Sequence, residues 1–142
     1  MAKSKTDSSK KRGKKEEQID AEYIKKGAEK VTDKEVEQVA EHAEEIEDKF
    51  KSSGRLGRYI EDARLMLSLI KDYWRGDYRK ILWFTIAAIA FTLLYVLNPF
   101  DLIPDVLPLV GLVDDALAFS VAFKLVEKDL KKYKEWKLQQ KK

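Results

Sequence analysis

Apolar positions along this chain recur every three to four residues, which is the spacing of one face of a helix. In the segment 32–50 they form a single narrow stripe that follows a Thr-x-x-Glu capping box at Thr32 and Glu35. The stripe consists of Val36, Val39, Ala43, Ile46 and Phe50. So narrow a stripe requires a partner helix, which is either the next helix of this chain, a second copy or another protein.

Two further amphipathic helices are predicted before residue 80. The segment 19–30 has Tyr23 and Ile24 on one side, and 55–74 has a broad apolar face that begins at Leu56. Gly76 is a typical helix stop, and Asp77 is a typical N-cap for the element that follows.

The run from Ile81 to Leu97 has 17 residues without a charge. At about 1.5 Å per residue it is about 25 Å long, the short end of a transmembrane helix. Pro99 ends it near Leu97. Aromatic and basic residues of the kind that mark a membrane interface surround it, namely Trp74, Tyr78, Arg79, Lys80 and Trp83. The alternative is a buried helix inside a helical bundle.

A second apolar helix is predicted from Asp114 onward, and after Phe123 it becomes amphipathic and lysine-rich. It leaves the membrane near Trp136, which we count with the interface residues. The two apolar segments therefore predict a transmembrane or re-entrant helical hairpin.

Charge is divided sharply along the chain. The net charge is +2 over residues 1–80, −4 over residues 81–123, which contain no Lys or Arg, and +5 over residues 124–142. Because basic residues lie on both sides of the hairpin, the positive-inside rule predicts that both termini are cytoplasmic. A loop at membrane depth needs protein around it, so self-association into a homo-oligomer is also expected.

Composition excludes several functions. Cysteine is absent, which rules out disulfides and thiolate metal sites, and the single histidine, His42, lies off the apolar stripe. We expect no catalytic residues and no cofactor. The basic residues near the N-terminus form a solvated tail, so nucleic acid is not expected as a partner. The predicted organisation is a disordered basic tail (1–18), an amphipathic helical region (19–54) and a membrane domain (55–142).

The loop after Leu97 carries a distinctive pattern of prolines and carboxylates. It comprises Pro99, Asp101, Pro104, Asp105, Pro108, Gly111, Asp114 and Asp115. This pattern resembles the signature of the YkvA-like family, a domain of unknown function numbered 1232, whose core would cover residues 78–123. The resemblance implies a helical membrane domain of the bacterial inner membrane and implies no activity.

The four aspartates admit two roles. In the structural one, Asp114 caps the second helix, Asp115 lies in its first turn, and Asp101 and Asp105 form turns around the prolines. In the other, all four converge on a cation such as Mg²⁺ or Ca²⁺, or on a proton path.

The sequence therefore predicts an all-α, membrane-anchored protein that acts as a structural or interaction module. Lipid is one partner, and the helix at 32–50 would recruit a cytoplasmic protein. The alternatives are a cation or proton site at the aspartates, and a soluble helical bundle with an interaction role.

Overall fold

The computed structural model describes residues 21–98 and 114–140, and these residues are helical with short connections. The predicted basic tail and most of the Pro/Asp loop lie outside the described residues. The helices are α1 (21–30), α2 (Asp33–Glu41), α3 (Ala43–Ser52), α4 (Ile60–Arg75), α5 (Trp83–Leu97) and α6 (Asp115–Gln140), with a 3₁₀ turn at Gly57–Tyr59. The all-α prediction is confirmed.

The segment predicted as one helix over 32–50 forms two helices. The capping box is present, because the Thr32 amide donates to Glu35 Oε1 at 2.8 Å and the Lys34 amide donates to Thr32 Oγ1 at 3.3 Å. The backbone leaves helical geometry at His42 (φ −103°, ψ 22°), where α2 ends and α3 begins. Both helices still turn their apolar side inward, and all five stripe residues are buried against α4 and α5. Packing within the same chain, one of the predicted alternatives, is therefore confirmed.

Gly76 ends α4 in the left-handed conformation (φ +87°), which a residue with a Cβ rarely adopts. The prediction that Asp77 caps the next helix is wrong. The Asp77 amide donates instead to the Asp72 carbonyl at 2.9 Å and so closes α4. Residues 78–82 are not helical, and α5 begins after Leu82 without a side-chain cap.

The predicted transmembrane helix over 81–97 is not supported. No helix in the described parts of the chain has both the length and the apolar character needed to cross a membrane. The helix that forms there, α5, has 15 residues, and its side chains from Thr85 to Val96 are all buried. It contacts α2, α3, α4 and α6, so the apolar character on all its faces is explained by protein on all sides.

The N-terminal helix α1 covers the remaining side of α5. Tyr23 packs edge-on against Phe91 and Tyr95, with ring centroids 5.5 and 5.7 Å apart. Gly27 lies directly on the Phe91 ring, and a Cβ added there would be 2.3 Å from two of its carbon atoms. The absence of a side chain at Gly27 therefore sets how closely α1 approaches α5.

The last helix packs along α5, and their connection, 99–113, lies outside the described residues. Near its start, Phe119 meets the rings of Phe50 and Tyr59. Farther along, Val126, Leu130 and Tyr133 are buried. Because α6 has 26 residues, its C-terminal half reaches the turn between α4 and α5.

Candidate functional site

Asp114, the first described signature residue after the loop, caps α6 as the sequence predicts. Its Oδ1 accepts the amides of Ala116 at 2.8 Å and Leu117 at 3.2 Å, which satisfies two N–H groups of the first turn. Its Oδ2 accepts a 2.5 Å hydrogen bond from Arg55, which lies between α3 and α4. Both carboxylate oxygens are therefore occupied by protein groups.

The other aspartates leave the cation hypothesis open. Asp115 lies in the first turn of α6, and its Oδ1 is buried with no hydrogen-bond partner in the described structure. Asp101 and Asp105 lie outside the described residues, as do Pro99, Pro104, Pro108 and Gly111. The residues that are described form no group of three or more potential metal ligands. Convergence of the four aspartates therefore stays a prediction.

The predicted interface residues around the α4–α5 turn fall into two groups. Trp74 and Trp83 are 38% and 41% exposed, and Leu82 and Phe84 beside them are 69% and 38% exposed. Arg75, Arg79 and Lys80 are also exposed. We call these seven residues the turn surface. Four of the seven large apolar side chains that the described structure exposes lie in this segment of eleven residues, whereas the other three are spread along α6.

The second group is partly buried beneath the turn. Tyr78 packs against the rings of Tyr133 and Trp136 at 5.1 and 4.9 Å, and Tyr133 and Trp136 stack at 5.9 Å. Trp136 and Tyr78 therefore join α6 to the turn surface.

Below these rings lies a buried polar cluster that the sequence reasoning missed. Asp72 is only 4% exposed, and its Oδ2 accepts hydrogen bonds from the Tyr133 hydroxyl at 2.5 Å and from Lys137 Nζ at 2.8 Å. Ser68 Oγ lies 2.5 Å from the Tyr133 hydroxyl. Because the single Tyr133 proton goes to Asp72, Ser68 is the donor in that contact. The cluster joins the last two turns of α4 to the C-terminal half of α6.

Electrostatics keep this cluster in one protonation state. Burial raises the pKa of Asp72, but the hydrogen bonds from Lys137 and Tyr133 and the charges of Lys137 and Arg75 lower it by more, so the net pKa lies below its ordinary value. Burial, followed by the hydrogen bond to Asp72, raises the pKa of Tyr133 far above its ordinary value. Tyr133 is thus a neutral donor to a carboxylate at neutral pH, and an ionised tyrosine that could act as a base is disfavoured.

Two clefts border the cluster. One, of about 280 Å³, lies between α3, α4 and Lys137 of α6. Its cations are Arg64, Lys71, Arg75 and Lys137, and its anions are Glu44, Glu47 and Asp72. The other, of about 440 Å³, is lined by Asp72, Asp77, Trp136, Lys137 and Gln140. The Asp72–Lys137 pair is therefore shared by both clefts.

Comparison with known proteins supports the resemblance of the signature. Residues 85–121 match the family described as "Protein of unknown function (DUF1232)". Over 80 residues the chain is 31% identical to the "Uncharacterized membrane protein YkvA" of Bacillus subtilis (strain 168), an alignment that spans 56% of this chain and 76% of that protein. The chain belongs to the YkvA-like DUF1232 family. No solved structure matches it.

The DUF1232 match begins at Thr85 in α5 and ends at Val121 in α6, so it covers the inner part of the α5–α6 pair and the signature loop between them. The turn surface and the Asp72 cluster lie beyond the two ends of that match. The YkvA relative is described as a membrane protein.

Proposed function

We propose that this YkvA-like protein is a non-catalytic interaction module that binds the cytoplasmic surface of the bacterial inner membrane through its turn surface. The observation that carries the proposal is the clustering of Trp74, Leu82, Trp83 and Phe84, all exposed, beside three exposed cations. The family relative described as a membrane protein supports it.

The composition of the turn surface suits an anionic bilayer interface. Tryptophan is favoured at the level of the lipid head groups, where its ring is apolar and its N–H is solvated. Each Lys or Arg near an anionic surface contributes about 1 kcal/mol. Residues 74–84 contain Arg75, Arg79 and Lys80 against a single acid, Asp77, which gives a local charge of +2. With α5 enclosed by the bundle, the protein would lie on the bilayer.

Protein partners would use other surfaces. The apolar stripe of α2 and α3 is covered by α4 and α5, so a cytoplasmic partner at 32–50 would have to contact the charged outer face of these helices. Self-association was predicted from a loop at membrane depth, and it stays a prediction.

Vesicle binding tests the proposal. The wild-type protein should bind vesicles of phosphatidylglycerol and phosphatidylcholine, and a Leu82→Gln, Trp83→Gln variant should bind at least about tenfold more weakly because it loses two exposed apolar side chains. Leu138→Gln is the matched control, since Leu138 is 56% exposed but lies at the end of α6. Equal binding by both variants, at unchanged melting temperature, would contradict the proposal.

A cation site at the signature aspartates is the second candidate. Its support is the buried Oδ1 of Asp115, which has no hydrogen-bond partner among the described residues and which follows, in the sequence, the loop that carries Asp101 and Asp105. Against it, Asp114 is already bound by Arg55 and by the amides of α6. The peripheral membrane function is therefore the better supported of the two.

A further inference from the structure

The smaller cleft beside the Asp72 cluster has an uneven charge pattern. Glu47 accepts from Arg64 Nε at 2.6 Å, and Asp72 accepts from Lys137 Nζ at 2.8 Å. These two pairs satisfy two anions and two cations. Lys71 and Arg75 remain, and neither has an ion pair within 4 Å in the described structure. Glu44 is the one other acid of the cleft lining, so the lining carries a net charge of +1.

Lys71 and Arg75 lie on the same face of α4, because residues four apart are neighbours on a helix. Lys137 also lines this cleft. Lys137 donates one of its three N–H groups to Asp72, so two N–H groups remain for a ligand. Lysine and arginine groups are the usual donors to a phosphate group in proteins.

The position of the cleft connects it with the bilayer surface. Trp74 of the turn surface is three residues after Lys71 and therefore adjacent to it on α4, and Arg75 belongs both to the turn surface and to the cleft lining. A lipid whose acyl chains lie beside Trp74 would carry its phosphate towards Lys71 and Arg75.

We propose that the cleft between α3, α4 and Lys137 binds the phosphate group of an anionic phospholipid, held by Lys71 and Arg75 with support from Lys137. This inference rests on the proposed membrane function, and it adds a defined head-group site to a surface that otherwise attracts lipid only by its general charge and apolar area.

The test compares two variants that lose the same charge. Lys71→Gln with Arg75→Gln removes two of the four cleft cations, and Lys124→Gln with Lys128→Gln removes two exposed cations of α6. Affinity for vesicles that contain phosphatidylglycerol should fall about tenfold or more in the cleft variant and at most about threefold in the control. Lys71→Arg should retain most of the binding. Equal weakening of both double variants would overturn the head-group site.

Two further arms separate the other outcomes. In a titration with inorganic phosphate followed by NMR, shifts at Lys71 and Arg75, combined with unchanged vesicle binding by the cleft variant, would assign the cleft to a soluble phosphate compound and overturn the lipid source. Failure of the wild-type protein to bind phosphatidylglycerol vesicles would refute the proposed function and this inference together. Loss of binding in the Leu82→Gln, Trp83→Gln variant but not in the cleft variant would refute the inference alone.

Discussion

Replacing Gly27 with alanine tests directly whether protein encloses α5. In an exposed helix this change is stabilising by about 0.5–1 kcal/mol, because alanine is the better helix former. Here the new Cβ would lie 2.3 Å from Cε1 and Cζ of Phe91, whereas carbon atoms in contact are normally about 3.5–4.0 Å apart. Either the ring or α1 must therefore move by more than about 1 Å.

The Phe91 ring has little room to move. It is completely buried, and the rings of Tyr23 and Tyr95 lie 5.5 and 6.3 Å from it. Overpacking a tight core costs about 1–3 kcal/mol, and close to the backbone of α1 we expect the upper part of that range. After the gain in helix propensity, the net loss of unfolding free energy should be about 1–2 kcal/mol, or about 4–10 °C in melting temperature.

Urea unfolding followed by circular dichroism measures this loss. Gly54→Ala is the matched control, because a Cβ there has no atom within 4 Å and should change stability by less than about 0.5 kcal/mol. Combining Gly27→Ala with Phe91→Leu should cost less than the sum of the two single changes, since the smaller side chain relieves the contact. A Gly27→Ala protein as stable as the wild type would refute the packing of α1 on α5.

Three further predictions concern charged groups. Asp114→Ala should lower the free energy of unfolding by about 1 kcal/mol because it removes the α6 cap, whereas Arg55→Ala should lower it by less than about 0.5 kcal/mol because the ion pair is exposed. Thermal unfolding of the two variants measures this difference. Asp72→Asn should lower stability at pH 7. Because the pKa of Asp72 is lower in the native state, its contribution to the free energy of unfolding is complete above the unfolded-state pKa of about 3.9 and is lost as the pH falls below that value. The difference in unfolding free energy between the wild type and the variant should therefore shrink in urea titrations from pH 6 to pH 3. We expect that Mg²⁺ and Ca²⁺ leave the melting temperature unchanged, and that changing Asp101 and Asp105 to asparagine does not lower it. A rise in melting temperature with either cation that those changes abolish would instead establish the metal site.

Local signals predicted the ends of several elements. The capping box marks the start of α2, Gly76 marks the end of α4, and Asn98-Pro99 marks the end of α5. Each signal depends on groups within about four residues, so one sequence is sufficient to interpret it. The break at His42 has no such signal, since neither proline nor glycine lies there.

What surrounds α5 depends on distant residues. A charge-free run shows that a helix avoids water, but lipid and a protein core are both apolar. Here the neighbours are supplied by Tyr23 and Gly27, some 60 residues earlier, and by α6. Only the tertiary structure distinguishes the two environments.

The Asp72 cluster was missed for the same reason. Its bonds to Tyr133 and Lys137 join residues 61 and 65 positions apart. One local signal was available, because Tyr133 and Lys137 are four apart on α6 and present a hydroxyl and an ammonium group on one face. That pattern identifies a polar site on the helix but not the carboxylate that occupies it.

The central position of α5 in the chain has a consequence for biosynthesis. The residues from 98 to 140 are made after α5, and at about 5–20 residues per second these 43 residues require about 2–9 s. During that interval α6 is incomplete, so the side of α5 that α6 will cover has no partner within the chain. Until α6 has packed against it, any chaperone or bilayer that α5 meets on emerging competes with α6 for the same apolar surface.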